Sequence, residues 1–261
     1  MSEERIYNSE EIEKLKTVFS CIDNTTLEGA DTHQKVEQLC RQSLQMMDSG
    51  KGIARVAAVC VYPVFVRQAK RLLEGSGIHV ASVAGAFPAG QSPIEVKLME
   101  VRYALDEGAD EIDMVLSRGS LLEGEYQKVQ DEVAAIKTAC GPRHLKAILE
   151  TGELQNSENI YRAAMLAMQG GADFIKTSTG KIAVSATLDA ARTMLQAIVD
   201  FEEKNDRKIG FKAAGGISTP EQALDYYDLT FQMLGEKRAN NQYFRIGASR
   251  LTTRLFQLLT K

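Results

Sequence analysis

The chain has 261 residues, 44% of them apolar and 25% charged, and a net charge of -4; that is an ordinary globular balance, long enough for one large α/β barrel or two small domains. Neither a basic stripe nor a long basic run is present, which argues against binding of nucleic acid or an anionic membrane. No apolar run approaches the ~18 residues of a membrane-spanning helix, and the polar start M-S-E-E-R is not a signal peptide, so a cytoplasmic protein is expected.

A helix is predicted at about residues 9–20, and short apolar or β-branched runs then alternate with amphipathic stretches to the end of the chain. In order, the candidate strands are F-S-C-I-D (19–23), V-A-A-V-C-V (56–61), H-V-A-S-V-A (79–84), E-I-D-M-V-L (111–116), H-L-K-A-I-L-E (144–150), F-I-K-T-S (174–178), K-I-G-F-K-A (208–213) and Y-F-R-I-G-A (243–248). Between the third and fourth, Val96, Met99, Val101 and Ala104 fall close to one helical face, with Gly108 as the stop. The helix after the fifth strand repeats that design, with Ile160, Ala164 and Ala167 inward, Gly170 as the stop, and Met165 and Met168 as packing. Ser218 and Pro220 read as helix start signals.

Alternation of this kind marks βαβ units and a parallel sheet. Eight units without a Pro/Gly/Ser linker predict a single (β/α)₈ TIM barrel over residues 1–261, with an additional N-terminal helix. An open doubly wound sheet competes, but no G-x-G-x-x-G turn follows the first strand. In a barrel, function gathers at the carboxyl ends of the strands.

Cys21, Cys40, Cys60 and Cys140 lie far apart without a C-x-x-C, and His33, His79 and His144 show no ligand spacing. No metal and no cofactor are therefore expected. Cys60, near the end of the second strand, reads as a small core residue.

Charge inside a strand needs a reason, because strands buried on both faces are normally continuous apolar runs. Asp113, Lys176 and Lys212 break that rule, and Asp23 and Lys146 join them at strand positions. Such residues can form an ion-pair network that merely fills a barrel. They can also do amine chemistry. Period two puts Phe174, Lys176 and Ser178 on one face, and Gly210 and Lys212 likewise, so both lysines can enter the barrel from adjacent strands. An ammonium about 5 Å from a second one disfavours its charged form by roughly 3 kcal/mol at an effective dielectric near 20. Desolvation acts in the same direction, making one lysine a nucleophile.

The last three strands run into T-S-T-G-K, A-A-G-G-I-S and G-A-S-R. Thr179, Gly180, Lys181, Gly215, Gly216, Gly247 and Ser249 thereby gather backbone N–H groups and a cation where barrel enzymes commonly bind phosphate. A phosphate ester is the expected ligand, and Lys146 is a candidate contact to it.

Seven motifs together resemble those of 2-deoxyribose-5-phosphate aldolases, a family of class I, Schiff-base enzymes on (β/α)₈ barrels. They are I-D-N-T-T-L, A-A-V-C-V-Y-P, G-A-D-E-I-D-M-V, L-E-T-G-E-L, G-A-D-F-I-K-T-S-T-G-K, G-F-K-A-A-G-G-I and F-R-I-G-A-S. The resemblance implies that Lys176 forms the imine, Lys212 is the second amine, Asp113 works in the proton relay and Asp23 lines the site. It implies phosphosugar and aldehyde substrates and cleavage to acetaldehyde and glyceraldehyde 3-phosphate. Departures occur at Asn24, Ala213, Ser218 and Arg250, where leucine, proline, arginine and a small residue are common, and these are expected on the phosphate side. A sugar-phosphate isomerase or epimerase using Asp113 as base, and a non-catalytic phosphosugar-binding protein, are the alternatives. The sequence leaves room for a homodimer.

Overall fold

The computed structural model describes residues 5–49 and 52–261. Eight parallel strands pair in sequence order and β8 closes on β1: β1 (Ile22–Thr25), β2 (Ala58–Val61), β3 (His79–Ala84), β4 (Glu111–Val115), β5 (His144–Ile148), β6 (Phe174–Lys176), β7 (Gly210–Ala214) and β8 (Phe244–Ala248). The helices are α1 (Ser9–Ser20), α2 (His33–Met47), α3 (Val66–Leu72), α4 (Ile94–Asp106), α5 (Arg118–Leu122), α6 (Tyr126–Cys140), α7 (Ser157–Gln169), α8 (Leu188–Glu202), α9 (Pro220–Leu234) and α10 (Arg250–Leu259). A helix follows every strand, so the chain forms a (β/α)₈ barrel, with α1 preceding it and the short α5 extending the β4 connection.

Helix α1 begins with a capping box, in which Asn8 accepts from the Glu11 N–H and the Glu11 carboxylate accepts from the Asn8 N–H. It buries Leu15, Val18 and Phe19 and packs against α9 and α10. The predicted first strand therefore shifts: Phe19 and Ser20 complete α1, Cys21 caps it, and β1 gains Asn24 and Thr25.

A second correction concerns α4, whose buried face is Lys97, Val101, Ala104 and Leu105, whereas Val96 and Met99 are exposed. The Lys97 ammonium donates to Ser117 at 2.8 Å and to the Glu132 carboxylate on α6, so a charged residue occupies an inward position and turns Val96 and Met99 out. Helix α7 follows its pattern, with Ile160, Ala164, Ala167 and Met168 buried.

Two cores result. The large one fills the layer between barrel and helices, where the outward residues of the strands meet the helices: Ile112 and Met114 of β4, Leu145 and Ala147 of β5, Ile175 of β6, Phe211 and Ala213 of β7. Inside the barrel lies a small apolar cluster, with Ala58 and Cys60 of β2, Ala81 and Val83 of β3, and Leu27. Much of the rest of the interior is charged, with the Phe174 ring packed against the Arg245 guanidinium.

Candidate active site

Alternation along the strands places Asp23, Glu111, Asp113, Lys146, Lys176, Lys212 and Arg245 inside, all at most 4% exposed. The β6–β7 register aligns Lys176 with Lys212, and the β4–β5 register aligns Asp113 with Lys146. Asp113 is the hub. Its Oδ2 accepts from Lys176 Nζ and from Lys212 Nζ, each at 2.8 Å, and its Oδ1 accepts from Lys146 Nζ at 2.8 Å. Asp23 accepts from Lys212 through Oδ2 and from Arg245 Nη1 through Oδ1 at 2.7 Å. Glu111 takes a second bond from Arg245 at 3.1 Å, pairs with Lys146, and lies 2.8 Å from His79 Nδ1.

Sequence reasoning brought Asp23, Asp113, Lys146, Lys176 and Lys212 together, and the structure does the same. It missed Glu111 and Arg245. Both had a signal, since each lies two residues before a residue already assigned inward or to the site, Asp113 and Gly247. It also gave His79 no part, although the half-exposed ring touches Glu111 at the amino end of β3.

The cluster holds four cations against three carboxylates, so an uncharged Lys176 leaves it balanced. Lys176 is also the least tethered, with one carboxylate oxygen where Lys212 touches two carboxylates. Burial pulls the Lys176 pKa down; Asp113 opposes this and the Lys212 charge adds to it, with a net shift below the ordinary lysine value. Desolvation is thus the main cause, ahead of the repulsion between the amines. Burial also pulls on Lys212, but Asp113 and Asp23 outweigh it and hold that ammonium above its usual pKa. Burial resists ionisation of Asp113, yet Lys146, Lys176 and Lys212 together keep it well below the carboxylate range. Burial pushes the Cys60 thiol up to about 11, as befits an inert core cysteine.

The carboxyl ends of β6, β7 and β8 carry the expected turns. Gly215, at φ 86°, cannot take a side chain, because a Cβ there would lie 2.5 Å from Ser185 Cβ and 3.1 Å from Gly180 Cα. The loops after β6 and β7 therefore touch, and Gly180 and Gly216 are exposed beside them. Ser249 starts α10, exposed and without a capping bond from its side chain. Lys181 reaches Glu28 in the loop after β1 at 2.9 Å. Ser178, two residues past Lys176, is buried, and its hydroxyl has no hydrogen-bond partner among the described residues.

Three expected ligand contacts have close protein neighbours of their own. Lys146 is fully enclosed by Asp113 and Glu111. Gly247 sits within β8, where a Cβ would come 3.0 Å from Ala214 Cβ and 3.3 Å from Lys212 Cε, so it lets β7 and β8 pack closely beside that lysine. Thr179 spends its hydroxyl on protein groups, donating to Glu150 just past β5 and accepting from the Lys181 N–H of its own loop. Two of the sequence departures also face away from the mouth. Asn24 bonds Ser43 of α2 and Thr252 of α10, and Ala213 is part of the outer core. A groove of about 960 Å³ between α4, α5 and α6, lined by Ser92, Ser117 and Glu132 among others, is separate from this cluster.

A family model described as DeoC/LacD family aldolase matches residues 17–240. A Bos taurus protein named deoxyribose-phosphate aldolase is 46% identical over 250 residues, covering 91% of this chain and 77% of that protein. The Homo sapiens protein of the same name is 46% identical over 243 residues, covering 88% and 76%. Among solved structures, one described as a unique tetrameric structure of deoxyribose phosphate aldolase from Aeropyrum pernix superposes with a TM-score of 0.72 at 26% identity, covering 96% of this chain and 97% of that one. A matched region running from α1 to beyond α9 contains every charged residue of the barrel interior except Arg245, and the chain belongs to the DeoC/LacD family of aldolases.

Proposed function

We propose that this aldolase cleaves 2-deoxy-D-ribose 5-phosphate reversibly to acetaldehyde and D-glyceraldehyde 3-phosphate, with Lys176 as the imine-forming residue. The observation that carries the reading is the pair of lysines in register on adjacent strands, sharing one oxygen of Asp113, with only Lys176 shifted toward the free amine. The uncharged amine of Lys176 adds to the C1 aldehyde of the open-chain sugar, and loss of water leaves a protonated imine. Asp113, Lys212 and a water take the proton from the C3 hydroxyl as the C2–C3 bond breaks, because the fragment kept on the lysine is the two-carbon acetaldehyde. The bonding electrons pass to the imine nitrogen, giving an enamine, and glyceraldehyde 3-phosphate leaves. Protonation at C2 and hydrolysis then free acetaldehyde.

Asp23 supports Lys212, and Lys146 fixes Asp113 from below instead of contacting the sugar. Gly180, Lys181, Gly215, Gly216 and Ser249 hold the phosphate in this reading, and the unpartnered Ser178 hydroxyl is free to meet a substrate oxygen. A homo-oligomer belongs to the same proposal: the Aeropyrum pernix protein is described as tetrameric, and Val96, Met99 and Tyr103 give α4 an exposed apolar stripe. So does a cytoplasmic location, which fits four unpaired, buried cysteines.

Borohydride reduction with acetaldehyde, followed by peptide mass mapping, tests the chemistry. A two-carbon adduct on Lys176 that disappears in Lys176→Ala is expected. Unmodified, folded protein would remove the imine and leave the isomerase or binding-protein reading.

A further inference from the structure

Glu150, just past the end of β5, has three unusual features together. It is fully buried, its backbone is left-handed (φ 57°, ψ 60°), and both carboxylate oxygens are used on one residue of another loop. Oε1 accepts from the Thr179 N–H at 3.1 Å and Oε2 from the Thr179 hydroxyl at 2.5 Å. A non-glycine residue in that backbone region is uncommon and persists where its surroundings demand it. Here the demand is visible: Leu149 N–H donates to the Lys176 carbonyl and Thr151 N–H to the Thr177 carbonyl, so the chain on either side follows β6 while Glu150 bends in beneath the next loop.

Thr179 passes the constraint on. Its hydroxyl oxygen accepts from the Lys181 N–H at 3.1 Å, which closes the turn at Gly180. One buried carboxylate thus fixes the backbone of residues 179–181, where the N–H groups and the cation of the anion seat lie. We infer that Glu150 is a positioning residue for phosphate recognition, acting through Thr179 on the Gly180–Lys181 turn. This inference rests on the proposed phosphate seat. The carboxylate never touches the ligand; it decides whether the N–H groups arrive already aimed, which is the preorganisation that charge-assisted bonds supply.

The test compares kcat/KM for deoxyribose 5-phosphate with that for unphosphorylated deoxyribose. In Glu150→Gln the ratio should fall about tenfold, through KM for the phosphorylated sugar, as one charge-assisted bond to Thr179 is lost. Thr179→Val should reproduce the fall, and Thr179→Ser should keep the ratio within about twofold because the hydroxyl is retained. If Glu150→Gln does not fold, the two Thr179 variants decide alone. An unchanged ratio, or an equal loss on both sugars, overturns the inference. Failure of the wild type to cleave deoxyribose 5-phosphate would instead sink the aldolase reading. Calorimetry with inorganic phosphate then still tests Glu150, with binding about tenfold weaker in Glu150→Gln expected and equal binding overturning the role.

Discussion

Lys176 owes its proposed reactivity to how little holds it. Of the three lysines inside the barrel it alone has a lowered pKa, and it is the one with slight exposure at the barrel mouth. Lys212→Ala removes a charge that helps keep Lys176 down, so the acid limb of the kcat/KM profile should move to higher pH, with kcat lower by about 10²-fold at neutrality from loss of the relay. A profile that stays in place would show that burial alone sets the amine. Asp113, Lys176 and Lys212 were legible in the sequence because each interrupts an apolar run. Glu150 was not, because a glutamate after a strand looks like any loop residue until the left-handed backbone and the return of Thr179 are seen.

At the level of elements, strand existence was legible throughout and strand ends were not. Hydrophobic alternation continues into residues that α1 or a connecting turn claims, as at Phe19 and Ser20. Helix α4 shows the stronger limit: four apolar residues suggested one inward face, yet a lysine paired across to α6 set another. That pair should matter to stability and not to chemistry. Lys97→Ala strands the Glu132 carboxylate and should cost about 3 kcal/mol, read from the denaturant midpoint, with activity per folded molecule unchanged. Combining Lys97→Met with Glu132→Leu should recover most of the loss, since apolar replacement of a buried pair is often neutral.

The whole molecule is a barrel with a buried charge network in its interior, and its stability should depend on pH accordingly. Glu111 and Asp113 have folded pKa values well below their usual range because nearby cations outweigh the burial penalty, and Asp23 is lowered too. Depressed carboxylates contribute stability above their unfolded pKa and lose it as pH falls through the folded one. Denaturant midpoints should therefore be flat through neutrality and drop steeply below about pH 4. A decline beginning near pH 6 would contradict this. The barrel was legible from eight alternating units; which carboxylates Arg245 and His79 would meet inside it was not, because that depends on which strands adjoin after closure. The balance inside it has a further consequence for the proposed reaction. With the free amine, three cations face three carboxylates; conversion of Lys176 to a protonated imine charges the cluster like a capacitor, by one unit. Flow of the C2–C3 electrons onto nitrogen discharges it, so the barrel wall itself favours the enamine that the reaction must reach.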